Sequence, residues 1–525
     1  MVHEGSHHDA VGASAATQRR KLAGYDFYRN VLGAPKFIVA PMVDQSELAW
    51  RMLCRKHGAQ LCYSPMFHSN LFANDPKYRK EALQTCAQDR PLIIQFCGND
   101  AETLLEAALL AQQHCDAIDI NLGCPQAIAK RGHYGAFLQD EWDLLREIVQ
   151  TLHKELAVPV TCKIRVFEDR QRTIAYAKML EAAGCQLLTV HGRTRDQKGP
   201  LTGVADWSYI KSVRENITIP MFANGNILCL EDIQRCLDET RVDGVMTAEG
   251  NLHNPAIFTG TSPKTYEMAA EYLDYVQQYP CPTSYIRGHL FKIFHHIMNL
   301  RPNVELREEL AISNQVQHFR AVVEKIKAKY EPYHEGVQPY MMEEMDPSLF
   351  VEDEGFNLCL PPWLCQPYIR VPPETHKLII AEKVRLAEDP NRTKPQFFDQ
   401  EGKQISRKKM KRLRRRLRRP NQPEGAHERN LESCELCLNP LGFKCGFRLC
   451  RICCREKCYT EDLDCPGHGI LIKSRRAKAK HFNNSPNQGE HIVAVGELGT
   501  QSVEMDSSNE AKNGNVTQST TTLCS

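Results

Sequence analysis

Asp119-Ile-Asn-Leu-Gly-Cys-Pro-Gln126, followed closely by Lys130-Arg-Gly-His-Tyr-Gly-Ala136, is the stretch from which the rest of the chain can be ordered. An apolar strand around Ala117, Ile118 and Ile120 runs into a Gly-Cys-Pro turn that presents one thiol, Cys124, at the strand's C-terminal end. In an α/β barrel that end is where loops carry chemistry, which makes Cys124 the first candidate catalytic residue.

Working outward, seven more short apolar runs lie between residues 37 and 258. In chain order the eight are Phe37–Ala40, Leu61–Tyr63, Leu92–Phe96, Ala117–Asn121, Val160–Ile164, Leu187–His191, Pro220–Ala223 and Gly244–Thr247. Helical patterns such as Ala101–His114, Glu141–Leu156 and Thr173–Ala183 separate most of them. Eight strands alternating with helices predict a (β/α)₈ TIM barrel over residues 35–262. A doubly wound sheet would normally carry a Gly-rich turn after its first strand, and here that strand ends in Pro41-Met42.

The barrel follows an N-terminal segment (1–34). After it, amphipathic patterns at Arg287–Leu300 and Asn314–Lys329 predict a small helical domain at 284–330. A proline- and acid-rich connector (331–402), with one helix expected at His376–Ala387, leads to a basic segment at 403–420. A cysteine-rich module (434–468) and a basic patch with a tail of disordered composition (473–525) complete the chain.

Charged residues make up 25% and apolar ones 42%, the usage of an ordinary globular protein. No apolar run approaches the roughly 18 residues of a membrane span, and the N-terminus lacks the apolar core of a secretory signal. Of the 22 cysteines, eight fall between Cys434 and Cys465, which points to metal ligands rather than disulfides.

The strand ends form a coherent set. Pro41 and Met42 follow the first strand, Gln95 ends the third, and Asn121 precedes Cys124 after the fourth. Lys163 ends the fifth, His191-Gly-Arg-Thr194 the sixth, Asn224-Gly-Asn226 the seventh and Ala248-Glu249-Gly250 the eighth. An amide, a lysine, a histidine and an Asn-Gly turn converging on one barrel mouth suit a flavin. Lys163 would meet the ring edge where negative charge accumulates, and backbone donors after strands seven and eight would hold the phosphate.

Asn121-Leu-Gly-Cys-Pro125, Lys130, Gly132, Gly135-Ala136, Lys163-Ile-Arg165, His191-Gly-Arg-Thr194, Asn224-Gly-Asn226 and Asn254-Pro255 together resemble the tRNA-dihydrouridine synthases over about residues 35–330. Ala248-Glu-Gly-Asn-Leu-His-Asn-Pro255 looks like the eukaryotic branch acting on D-loop uridines 16 and 17. Most bacterial members place an arginine near Glu249, and the departure leaves the backbone amides of Glu249 and Gly250 for the phosphate.

The resemblance implies FMN held by Pro41, Met42, Gln95, Lys163, His191, Asn224, Gly225, Asn226, Glu249 and Gly250. Its implied reaction is hydride transfer from reduced FMN to uridine C6, with Cys124 as the acid at C5 and NADPH as reductant. It implies tRNA contacts at Asn121, Lys130, Arg165, Arg193, Arg195 and Arg287. The target base is stacked within the tRNA and has to be extruded to reach the barrel mouth.

Cys434-x₂-Cys437 and Cys450-x₂-Cys453 have the spacing of a tetrahedral zinc site. Cys445, Cys454, Cys458, Cys465 and His468 offer ligands for a second, with one candidate more than two sites need, so the pairing stays open. Eleven cations between Lys403 and Arg419 suit tRNA phosphates or a nuclear import signal, giving an expected location in cytoplasm and nucleus. Two other readings are another flavin barrel reductase, and an RNA-binding zinc-finger protein on an inactive barrel. The first needs no basic segment, and the intact Cys124, Lys163 and His191 argue against the second.

Overall fold

In the computed structural model the eight apolar runs are eight parallel strands, β1 (Phe37–Val39), β2 (Leu61–His68), β3 (Leu92–Cys97), β4 (Ala117–Leu122), β5 (Val160–Arg165), β6 (Leu188–His191), β7 (Met221–Asn224) and β8 (Gly244–Thr247). They pair in sequence order and close, β1 on β8, into a barrel. The structure describes residues 21–340, 358, 360–370, 372–388, 397–398, 402, 404–406, 410, 434–437, 441 and 445–472. Two units divide the chain at Pro420/Asn421.

The strands' two faces do different work. Outward side chains such as Ile94, Phe96, Ile118 and Ile120 pack under the helices in one continuous apolar shell. Inside, Ile38, Leu61, Ile93, Ala117, Leu187, Phe222 and Met246 fill one end of the barrel. That end is plugged from below by Phe27 and Tyr28 of a helix at Gly24–Asn30, whose Tyr25 and Tyr28 hydroxyls donate to Asp243. The N-terminal segment thus contributes a helix that completes the barrel floor. Two residues further along β3 and β4, Gln95 and Asp119 begin a polar layer above it.

β2 runs five residues beyond the apolar triplet that marks it in the sequence. Pro65 cannot donate to the ladder, and the β2–β3 register shifts between Tyr63 and Met66. Ser64 Oγ takes over by accepting from the backbone N–H of Gln95 at 3.0 Å, which secures the strand carrying that amide.

The helical part comprises helices at Thr283–Ile293, His295–Met298, Val304–Ile312 and Val316–His334. The last of these runs past the boundary expected at 330, with Phe319, Val322, Ile326 and Tyr330 on its buried side. A further helix, Thr265–Gln278, joins it to the barrel. Tyr272 donates to Glu47 at 2.7 Å, and His289 Nε2 meets the other carboxylate oxygen at 2.9 Å.

Part of the expected connector is folded. Trp363 is 3% exposed and packs among Tyr330, Tyr333 and Tyr340, Cys365 is fully buried, and a helix covers Pro373–Glu388. Of the basic segment 403–420, only Gln404–Ile405, paired antiparallel with Phe397–Phe398, and Ser406 and Met410 fall among the described residues. The basic patch and tail at 473–525 lie outside them. No described helix is long and apolar enough to cross a membrane.

Candidate active site

Alternation along β4 turns Asp119 and Asn121 to the same side as Gln95 of β3 and Thr161 and Lys163 of β5, with which they are in register. A single line of hydrogen bonds results. Thr161 Oγ1 donates to Asp119 Oδ1 (2.6 Å), and Gln95 Nε2 donates to Asp119 Oδ2 (2.7 Å). Asn121 Nδ2 then donates to Gln95 Oε1 (2.9 Å), and Asn121 Oδ1 accepts from the backbone N–H groups of Gly123 (3.2 Å) and Cys124 (2.9 Å).

The carboxylate sets the direction of this line. It can only accept when ionised, so each amide is forced to donate downward and accept from above. The Gly-Cys-Pro turn is therefore held by the polar interior of the barrel. Gly135, at φ +67°, closes it from outside, because a Cβ there would lie 2.8 Å from the Cys124 carbonyl oxygen.

Burial raises the Cys124 thiol above its ordinary pKa, against a backbone hydrogen bond at Gln126 and the charges of Arg165 and Lys163. The group is thus kept as S–H, an acid rather than a thiolate. Burial also pushes the Asp119 carboxyl up to about 6, although Thr161, Gln95 and Lys163 all favour its charge.

Lys163 Nζ donates to Asn224 Oδ1 at 3.0 Å, and Asn224 Nδ2 donates to the Met246 carbonyl. Desolvation, with Arg165 as a second cation, brings the Lys163 pKa down to about 8. Burial and the surrounding Lys163, Arg165 and Arg193 hold His191 well below the usual histidine range. Arg193 Nη1 lies 3.0 Å from His191 Nε2. Since a guanidinium can only donate, Nε2 accepts and the ring is the neutral Nδ1–H tautomer.

Beside these groups, at the ends of β6, β7 and β8, is a cavity of about 350 Å³. His191, Arg193, Asn224, Gly225, Asn226, Glu249 and Gly250 line it from the barrel, and Tyr368–Arg370 from beyond the helical part. Gly225 has φ +112° and a Cβ there would sit 2.6 Å from Ala205 Cβ, while one at Gly250 would sit 2.3 Å from the Ile227 carbonyl. Only glycine lets these two loops pass so closely.

The other sequence candidates fall into three groups. Pro41 and Met42 form the loop after β1, where Met42 N–H donates to Ser46 Oγ. Arg165 and Arg193 turn inward: Arg165 donates to the Thr194 and Gln197 carbonyls, and Arg193 to the Thr202 and Gly203 carbonyls and to Asn226. Lys130 is exposed on the rim, Arg195 pairs with Asp140 at 3.0 Å, and Arg287 donates to the Ser313 carbonyl.

Three participants, Asp119, Thr161 and Arg370, carry no role in the sequence reading. Asp119 stands in the quoted stretch itself, and its signal is an acid two residues before Asn121 in an otherwise apolar strand. Arg370 gives no such signal, because its place depends on how the chain returns from the helical part.

The cysteine-rich module forms two ligand groups. Cys434, Cys437, Cys450 and Cys453 hold their sulfurs within 4.8 Å of one another, as do the ligand atoms of Cys445, Cys454, Cys465 and His468. Cys458 belongs to neither group.

Barrel, strand-end acid and glycine-lined cavity together define an oxidoreductase-type TIM-barrel site, and comparison with known proteins gives the family. The dihydrouridine synthase (Dus) family profile matches residues 38–334, and the chain belongs to that family. It is 50% identical over 466 residues (87% of this chain, 93% of the relative) to a mouse protein named tRNA-dihydrouridine(16/17) synthase [NAD(P)(+)]-like. The fission yeast tRNA-dihydrouridine(16/17) synthase [NAD(P)(+)] is 46% identical over 67% of this chain and 92% of its own length. The budding yeast protein of the same name is 44% identical over 69% of this chain and 89% of its own length.

Proposed function

We propose that this protein reduces uridine to 5,6-dihydrouridine in the D-loop of tRNA, at positions 16 and 17, using FMN with NADPH as reductant. The observation that carries the reading is Cys124: a thiol kept protonated by burial and fixed by the Thr161–Asp119–Gln95–Asn121 line at the barrel mouth. Substrate and position follow the names of the mouse and yeast relatives.

The residues present fit FMN. Lys163 is a desolvated cation whose charge calls for an anionic neighbour, and the glycine-lined cavity after β7 and β8 is where TIM barrels commonly hold phosphate. Pro41, Met42, Gln95, Lys163, His191, Asn224, Gly225, Asn226, Glu249 and Gly250 would hold the cofactor. When bound, FMN would supply hydride chemistry for uracil C6. Cys124 gives its proton to C5 as general acid. Lys163 would offset negative charge on the reduced cofactor, and His191 would offer Nδ1–H as a neutral donor. Asn121 keeps the Cys124 turn in place while an extruded base enters.

Lys130 on the rim, Arg195 and Arg287 lie where tRNA phosphates can be met outside the cavity, and the basic segment at 403–420 adds a further tRNA contact or an import signal. Such a signal would give the protein a location in both cytoplasm and nucleus. The cysteine-rich module binds structural zinc in this reading.

Mapping dihydrouridine in tRNA from cells lacking the protein tests reaction and position together. Loss at 16 and 17 is expected, and unchanged tRNA in those cells would overturn the assignment. The purified protein is expected to be yellow; a colourless, fully folded preparation would remove the flavin from the reading.

A further inference from the structure

Residues 360–370 form a strap that starts beside the helical part and ends at the barrel mouth. Trp363 Nε1 donates to His334 Nδ1, the Trp363 carbonyl accepts from Thr265 N–H at 2.7 Å, and Cys365 N–H donates to the Pro263 carbonyl at 2.8 Å. Tyr368 then packs against His253 and His295. The strap's last described residue, Arg370, reaches Glu249 with Nε–Oε2 and Nη2–Oε1 distances of 3.0 and 2.8 Å.

Charges of both signs meet around the cavity. Arg193, Arg370, Glu249 and the exposed Glu374 all line it, and the two guanidiniums repel, lowering the Arg193 pKa after burial has already done so, while Glu249 acts the other way. The bidentate contact to Glu249 leaves Arg370 Nη1 and its two protons without a partner among the described residues. Arg370 thus brings a guanidinium edge, free among the described residues, into a cavity that Arg193 and the glycines Gly225 and Gly250 also line, and such an edge is suited to bind an anion.

We propose that Arg370, delivered by the strap from outside the barrel, is a phosphate-binding residue of the flavin site, with Glu249 as the residue that orients it. The ligand class is a phosphomonoester dianion, here the FMN phosphate. The assignment rests on the flavin reading above and deepens it. Outside residues 38–334, the segment common to the family, this chain has an added piece of the cofactor site.

Binding of FMN and of riboflavin, which lacks the phosphate, to flavin-stripped full-length protein separates the outcomes. In Arg370→Ala, FMN affinity should fall roughly ten- to a hundredfold while riboflavin affinity holds. Arg370→Lys should recover part of the FMN affinity, since it keeps the charge and loses the fork. Equal weakening of both ligands would mean a merely structural strap, and an unchanged FMN affinity would mean no contact; either overturns the proposal. Wild-type protein that binds neither ligand defeats the flavin reading first and the proposal with it.

The C-terminal unit carries a second inference independently. A zinc–sulfur bond of about 2.3 Å implies tetrahedral sulfur–sulfur edges of roughly 3.8 Å. Observed separations are 3.6 Å for Cys437–Cys450, 3.5 Å for Cys437–Cys453 and 3.9 Å for Cys445–Cys465, with Cys465 Sγ 3.7 Å from His468 Nδ1. These are far beyond a disulfide bond length and match the edges of metal tetrahedra.

The geometry points to two zinc ions in interleaved sets, Cys434/Cys437/Cys450/Cys453 and Cys445/Cys454/Cys465/His468; Cys458 lies 3.8 Å from the Cys454 sulfur but stands outside both four-ligand sets, and packs beside the second. Adjacent Cys453 and Cys454, on the first turn of the helix Arg451–Thr460, then serve different ions, which ties the two sites together. Elemental analysis of full-length protein should give two zinc ions per chain. Cys454→Ser should lose at least one, and both Cys458→Ser and Cys458→Ala should retain two. Zinc loss in both Cys458 variants, retention in Cys454→Ser, fewer than two ions in the wild type, or iron with inorganic sulfide in place of zinc each overturns the pairing.

Discussion

Cys124 owes its chemistry to where it is held. An exposed thiol would ionise near pH 8.5 and lose its value as an acid, whereas burial keeps this one protonated through neutral pH. Replacing Cys124 with Ala leaves the Asn121 backbone contacts intact. FMN binding is therefore expected to persist, while single-turnover reduction of tRNA slows by roughly 10²–10⁴-fold, as for loss of a general acid. Parallel flavin titration and rapid-quench assays check this, and a variant that loses its flavin as well would give Cys124 a structural role. Lys163 makes the complementary case. Its folded pKa of about 8 lies below the ordinary lysine value of 10.5, so between those values the unfolded chain binds more protons and stability rises with pH. Below pH 8 the charged lysine costs the flavin-free protein its full penalty. Lys163→Met should therefore raise the melting temperature of flavin-free protein at pH 7, by roughly 2–4 °C per kcal/mol recovered, with the gain shrinking toward pH 10. The same variant should bind FMN more weakly. A melting difference that grows with pH would reverse the sign and contradict the desolvation argument.

Among the elements, the N-terminal helix Gly24–Asn30 shows how the barrel separates stability from chemistry. Phe27 is fully buried in the floor cluster with Ile38, Leu61 and Phe222, and the polar layer lies above it. Truncation to Ala should cost about 3–5 kcal/mol in denaturant unfolding and leave FMN affinity unchanged. A large loss of flavin affinity in folded Phe27→Ala protein would show the floor and the mouth to be coupled. All eight strands were legible from short apolar runs, because a parallel strand buried on both faces leaves no alternation to misread. β2 was legible only to Tyr63, since Ser64-Pro65 carries no apolar signal and the strand resumes through side-chain help from Ser64. The floor helix was missed for a related reason. The helix is only seven residues long, too short for a helical period to show, and the partners of Phe27 and Tyr28 lie across the barrel. The strap was hidden in the same way: its Trp363 and Cys365 stand in proline-rich sequence, and their burial depends on helices that precede them by many residues.

At the scale of the molecule, the strand-end residues could be gathered from sequence because a closed barrel brings all C-terminal ends to one mouth. The direction of the Asp119 line and the place of Arg370 could not, since each follows from contacts between elements far apart in the chain. The two units also differ in what holds them. The first has a large apolar shell around the barrel, whereas the buried cluster of the second contains, among the described residues, only Leu449 and Ile470 besides its cysteines. So small a core cannot offset the entropy of ordering the segment, and metal ligation has to supply the difference. Calorimetry of the full-length protein should then show a transition that a zinc chelator abolishes and a second that the chelator leaves in place but FMN raises. Limited proteolysis should agree: chelation exposes cleavage sites within 434–472 and leaves the barrel intact. If the cysteine module keeps its protease resistance after its metal is removed, Leu449, Ile470 and the packed thiols suffice to fold it, and the ion is an accessory.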